Sequence, residues 1–188
     1  MSFAEEIHGA KAARSGQMLI MRDETMQAMK AHAEEGYPHE VCGLLLGEVD
    51  AASRLHRVRA AEPARNLNLQ WASNRYELDP TDYLRIDADA RRRGLAVVGV
   101  YHSHPEHPAQ PSETDRVVAA EIWESSESWS YLILALSAGK VTSWQSWILR
   151  DRTFHEEELH LEQPDPREDN HVKHRKSSDA TATLGPRA

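Results

Sequence analysis

The stretch from Tyr101 to Asp115 holds the residues best suited to chemistry. His102-Ser103-His104 is followed by Ser112, eight positions after the second histidine, and by Asp115 three positions further on. In extended backbone, residues two apart project from the same face. His102 and His104 can therefore aim both imidazoles at one point, as two ligands of a single metal must. Two histidines and one carboxylate are a frequent catalytic zinc set, because three protein ligands leave a fourth position for water. Asp115 supplies that carboxylate if it swings back from the first turn of a helix.

The flanking elements must place these groups. Val97-Val98-Gly99-Val100 is apolar and mostly β-branched, and reads as a buried strand ending where the histidines begin. Pro105, Pro108 and Pro111 keep the next segment a loop. Ser112 then reads as the N-cap of a helix with its body from Arg116 to Trp123, and Val117, Val118, Ala120 and Ile122 as its apolar positions. Ser-x-x-Asp before an apolar helix is also close to a capping box, which by itself accounts for Ser112 and Asp115 structurally. Upstream, Glu40 stands at the mouth of an apolar strand, Val41 to Glu48, whose Leu44-Leu45-Leu46 commits it to the interior.

Taken together, Glu40 at a strand head, His102-Ser103-His104, seven residues, Ser112, two residues and Asp115 resemble the signature of the JAMM (MPN-plus) metallopeptidases, with no departure at these five positions. Pro38-x-Glu40-x-Cys42-Gly43-Leu44-Leu45-x-Gly47 resembles the bacterial branch of that family, and the likeness runs from about Met18 to Glu158. It implies an α/β fold, a single domain with a mixed, curved β-sheet flanked by helices in a cytidine-deaminase-like architecture. It also implies a zinc ion on His102, His104 and Asp115, with Glu40 as general base and Ser112 as hydrogen-bond donor to the developing oxyanion. The implied substrate is the bond after the C-terminal Gly-Gly of a ubiquitin-like protein. For the bacterial form this is a β-grasp sulfur carrier, from which either cysteine or a C-terminal extension is released. The alternative is a catalytically silent scaffold of the same fold, but such a chain is expected to lack metal ligands that are all present here.

Other chemistries fit less well. His39-Glu40 is not the zincin helix motif, since Gly43 stands where the second histidine belongs. Zinc deaminases need Pro-Cys-x-x-Cys, and the chain has one cysteine, Cys42, inside an apolar run that suits an inert thiol. No Gly-rich phosphate loop is present. Ser103 points away from its histidine neighbours and is assigned to packing or hydrogen bonding, and His107 to the loop.

Composition sets the frame. At 188 residues and 40% apolar content, one compact domain is expected. The net charge of -8 and the lack of a basic stripe argue against a grip on nucleic acid. No membrane-length apolar run or signal-peptide layout is seen, and with a single cysteine this points to the cytoplasm.

Met1 to Gln17 reads as a flexible leader, residues 18–161 as the catalytic domain, and residues 162–188 as a disordered tail poor in large apolar residues. Within the domain, Met18 to Met21 reads as a strand. A helix capped by Asp23 or Thr25 runs to about Glu35, with Met26, Met29 and Ala33 inward. Arg54 to Ala60 is a half-buried strand, and Ala61 to Asp79 an irregular stretch containing Trp71. Asp79-Pro80 opens a helix that ends at Gly94. After a polar break at Ser125 to Ser128 come strands Trp129 to Leu136 and Val141 to Arg150, then a short helical turn from Glu156 to Leu161.

Overall fold

The computed structural model describes residues 16–68, 76–122 and 129–163. Along the chain run β1 (Met18–Arg22), α1 (Asp23–Gly36), β2 (Cys42–Asp50), β3 (Leu55–Ala64), α2 (Pro80–Arg92), β4 (Ala96–Pro105), α3 (Glu113–Ile122), β5 (Ser130–Ser137), β6 (Lys140–Arg150) and β7 (Thr153–Glu162). The strands follow the order β1-β3-β2-β4-β5-β6-β7 and close on themselves through a parallel pairing of β7 with β1. The pairs β1–β3 and β4–β5 are also parallel and the others antiparallel. The result is the mixed, curved sheet with flanking helices expected of this α/β domain, with its curvature carried through to closure.

Period-two alternation assigns the strand residues to two faces. On the inner face Leu19, Met21, Leu45, Val58, Tyr101, Leu132 and Leu134 form one cluster with Met26 and Met29 of α1. Leu44 and Leu46 point outward against Ile86 and Ala90 of α2. Six consecutive residues of β2, Cys42 to Gly47, are thus buried, with both faces of the strand covered. Each fully buried leucine contributes about 1.5–3 kcal/mol, which is why the run leading away from Glu40 is apolar throughout.

A second outer cluster joins Val100, Ala119, Tyr131, Ile133, Ala135 and Trp147, and covers the back of β4 and β5 beneath α3 and the loop before it.

The α2 boundary is as read from sequence: Asp79 is the N-cap, its carboxylate accepts from the Thr81 amide at 2.7 Å, and proline occupies the first turn. Several expectations need correction. The N-cap of α1 is Arg22, without a side-chain cap bond, and Asp23 is already helical. β3 continues past Ala60 to Ala64, because its pairing with β2 extends through Pro63. Glu156 to Leu161 is not a helical turn but the middle of β7, whose ladder partners β6 and β1 cannot be read from local sequence.

Gln17, placed in the leader, is buried, and Glu162, placed in the tail, ends β7. Residues 1–15 of the leader, Trp71, the break at 125–128 and residues 164–188 lie outside the described residues. No helix among the described residues is long and apolar enough to cross a membrane.

One layer of the barrel interior is polar. Glu157, Ser146, Ser130, His56 and Gln17 share the inner face near one end and are all buried. Glu157 accepts from Ser146 Oγ at 2.6 Å and from Ser130 Oγ at 3.1 Å, and His56 Nδ1 lies 2.9 Å from Ser130 Oγ.

Candidate metal centre

The last turn of alternation on β4 places Val100, His102 and His104 on the outer face and Tyr101 and Ser103 on the other. The loop after Pro105 then returns the chain to α3, whose first turn faces the two histidines. His102 Nε2 and His104 Nε2 lie 3.0 Å apart. Asp115 Oδ1 is 3.4 Å from His102 Nε2, and Asp115 Oδ2 is 3.4 Å from His104 Nε2. All three residues are buried. Among the described residues, these three are the group whose ligand atoms converge in this way, within 4.8 Å of one another.

The donor atoms themselves show whether a zinc ion fits. Ligands around a four-coordinate zinc with bonds of about 2.0–2.1 Å stand about 3.3 Å apart, against the 3.0 to 3.4 Å found here. The donor set is also chemically apt, with two imidazole nitrogens and one carboxylate. His104 Nδ1 donates to Pro108 O at 2.9 Å, which fixes the tautomer and leaves Nε2 a free lone pair. His102 Nδ1 is buried and finds no hydrogen-bond partner among the described residues.

Electrostatically the cluster attracts a cation. Burial opposes ionisation of Asp115, but His102, His104 and Ser112 outweigh it and hold the carboxyl well below its usual range. Burial lowers His102. It also acts to lower His104, but the hydrogen bonds to Asp115 and Pro108 raise His104 above its ordinary value. The position of Asp115 in the first turn of α3 adds the favourable field of the helix N-terminus.

Ser112 and Asp115 form the reciprocal cap that their spacing suggested. Ser112 N and Oγ both lie 2.7 Å from Asp115 Oδ2, and Asp115 N donates back to Ser112 Oγ at 3.1 Å. The capping and ligand readings of Asp115 are therefore compatible, because one carboxylate serves both. Ser112 Oγ gives its hydrogen to Asp115 in this structure.

Glu40 lies just before β2 and is only 6% exposed. Burial pushes its carboxyl up to about 8; His104 opposes that rise and Asp115 adds to it. The pairing of Cys42 with His102 brings the head of β2, with Glu40 just before it, to the end of β4 that carries the two histidines. The Glu40 backbone is held on both sides. Val41 N donates to Ser103 Oγ at 2.9 Å, Ser103 N donates to Val41 O at 3.0 Å, and Asn66 Nδ2 donates to Glu40 O at 3.0 Å. Ser103 thus has the hydrogen-bonding role expected of it, tying the histidine strand to the glutamate strand. Cys42 is buried, with its thiol pushed up to about 12 by burial, as suits an inert residue.

Sequence reasoning missed Asn66, Tyr76 and the Pro108 carbonyl. The Tyr76 ring stacks on His102, with centroids 4.5 Å apart and planes 27° apart. Asn66 Oδ1 accepts from Asn68 N and Glu77 N, so one side chain fastens both ends of the β3–α2 connection next to Glu40. That irregular stretch holds Asn66, Asn68 and Asn74, and nothing local in the sequence distinguishes the one that turns inward.

Comparison with known proteins defines the class. The family of prokaryotic homologs of the JAB domain matches residues 22–149. The chain belongs to this family, the prokaryotic side of the JAMM/MPN proteins. Among individual relatives, the chain is similar to a desampylase of Haloferax volcanii, 38% identical over 102 residues that span 52% of this chain and 70% of that protein. It is also similar to the CysO-cysteine peptidase of Mycobacterium tuberculosis, 31% identical over 107 residues, 55% of this chain and 67% of the other. The solution structure of a Desulfitobacterium hafniense protein superposes with a TM-score of 0.68 at 31% identity, covering 80% of this chain and 97% of that one.

Proposed function

We propose that this chain is a zinc-dependent peptidase or isopeptidase that hydrolyses the bond after the C-terminal Gly-Gly of a ubiquitin-like sulfur-carrier protein. The observation that carries this reading is the convergence of His102, His104 and Asp115 at the end of β4, which pairs with the strand headed by the buried Glu40. The relatives named as a desampylase and a CysO-cysteine peptidase support the substrate class.

His102, His104 and Asp115 would hold the ion, and zinc, when bound, supplies Lewis-acid chemistry that acidifies water and polarises a carbonyl. Glu40 takes a proton from the attacking water and returns it to the departing amine nitrogen. One water is consumed, and one carboxylate and one amine are released. A buried carboxyl with an affinity for protons near neutrality suits both halves of that transfer. Ser112 turns its hydroxyl hydrogen from Asp115 to the oxyanion that develops on the substrate carbonyl, a contribution on the order of 3 kcal/mol in comparable sites.

Intact-mass measurement of a carrier extended past its Gly-Gly tests the reading. The arms are the protein as purified, stripped by chelator, restored with zinc, and carrying Glu40→Gln. The extension is removed in the first and third arms and retained in the second and fourth. Retention in every arm by a protein that binds no zinc overturns the proposal. Parallel carriers ending in a single cysteine and in a longer peptide separate cysteine release from precursor processing.

A further inference from the structure

The loop between His104 and Ser112 reaches its position with little backbone support of its own. Three of its residues are prolines and have no amide to donate. Near its start, the Glu106 amide bonds Leu136 O at 2.7 Å and the His107 amide reaches only His104 O at 3.5 Å. Side chains hold the rest. At the entry, Glu106 adopts a left-handed backbone with φ of 59°. Its carboxylate accepts from Ala138 N at 2.7 Å, Tyr37 Oη at 3.0 Å and Ser137 Oγ at 3.3 Å. Further along, Trp147 Nε1 donates to Ala109 O at 3.0 Å from within the outer cluster. Between these two clamps lies Pro108 O, the carbonyl that accepts from His104 Nδ1.

We infer that Trp147 is a positioning residue for His104: by holding the Ala109 carbonyl it fixes the adjoining Pro108 carbonyl, and so sets the tautomer and ring orientation of a metal ligand it never touches. The inference rests on the metal-centre reading above. Trp147 sits on β6, two strands away from His104, and its ring packs with Ile133 and Ala135 on the face the loop covers. A phenylalanine there keeps most of that packing but provides no donor, leaving the Ala109 carbonyl buried without its partner. Groups that orient a ligating histidine typically change metal affinity by about 10–100-fold when removed. Trp147 acts one peptide further out, so a loss of about tenfold is expected.

The test uses the full chain with Trp147→Phe, and separately with Glu106→Ala, which releases the other clamp. Zinc affinity is read by competition with a chromophoric chelator. The tautomer and exchange protection of the His104 Nδ1 proton are read by nitrogen-15 NMR of the metal-free protein. Thermal melting of the metal-free protein reports fold integrity. The inference expects about tenfold weaker zinc binding and a fast-exchanging His104 Nδ1 proton in both variants, with metal-free melting close to wild type. Wild-type affinity together with a protected proton in Trp147→Phe overturns it. If Trp147→Phe fails to fold, Glu106→Ala decides, and unchanged affinity there overturns it equally. A wild-type chain that binds no zinc refutes the metal centre instead. In that case the His104 proton signal still reports whether Trp147 orients the ring.

Discussion

Replacing Glu157 by glutamine probes the polar layer inside the barrel. Glu157 is fully buried, and burial raises its carboxyl from 4.5 to about 7 against the hydrogen bonds from Ser146, Ser130 and Gln17 and the charge of Arg150. The other titratable group in the layer is His56, which burial depresses to about 4. The folded chain holds the Glu157 proton more tightly than the unfolded chain does. The stability it confers is therefore complete below about pH 4.5 and is lost as the pH rises through 7. Over the interval from 4.5 to about 7, at about 1.4 kcal/mol per pH unit, the loss comes to about 3 kcal/mol. Glutamine carries no charge at any pH, keeps a carbonyl for one serine, and offers its amide to the oxygen of the other.

Urea unfolding at pH 5 and pH 8, followed by tryptophan fluorescence, measures the difference. Glu157→Gln should lie within about 1 kcal/mol of wild type at pH 5 and be about 2–3 kcal/mol more stable at pH 8. At roughly 2–4 °C per kcal/mol for a chain of this size, the melting temperature at pH 8 should rise by about 5–10 °C. His56 contributes in the opposite sense, losing stability as the pH falls from 6.5 through about 4, but it is present in both proteins and cancels in the comparison. Parallel stability curves from pH 5 to 8, or a variant less stable than wild type at pH 8, would refute the view that Glu157 is held protonated.

Three further outcomes are expected. Asp115→Asn should weaken zinc binding by about 100-fold or more in chelator competition, and retention of wild-type affinity would remove Asp115 from the ligand set. Ser103→Ala takes away the acceptor of the Val41 amide beside Glu40; it should lower kcat by about tenfold while one zinc per chain remains bound, and an unchanged kcat would leave Ser103 a packing residue only. Gly99→Ala would drive a Cβ into the Ser130 backbone, where β4 and β5 run side by side. Overpacking of this kind costs about 2–3 kcal/mol, so a thermal melt indistinguishable from wild type would show that the two strands can separate without cost.

Much of the candidate centre was legible in the chain because its parts are close in sequence. His102 and His104 share a face through strand alternation alone, and Ser112 and Asp115 meet through helix capping alone. Both relations span at most three residues and need no tertiary information. Proline and glycine punctuation placed α2 for the same reason. Failures came where partners are distant. β7 has a charged, histidine-containing sequence that resembles a helical turn, and only its ladders with β6 and β1 make it a strand. The inner polar layer draws on five separate parts of the chain, so no window of sequence contains it.

By itself, then, the sequence singled out candidate metal ligands and a candidate acid at the head of β2, and required that an apolar β2 be buried. Only the tertiary structure decided that β4 and β2 lie side by side, so that Glu40, sixty-two residues before His102, stands at the same end of the sheet as the histidines. It also decided which asparagine, carbonyl and indole hold these groups in place. The physical reason is that alternation and capping act over single turns of the chain. Burial and the satisfaction of buried donors are settled by whatever the closed barrel brings alongside.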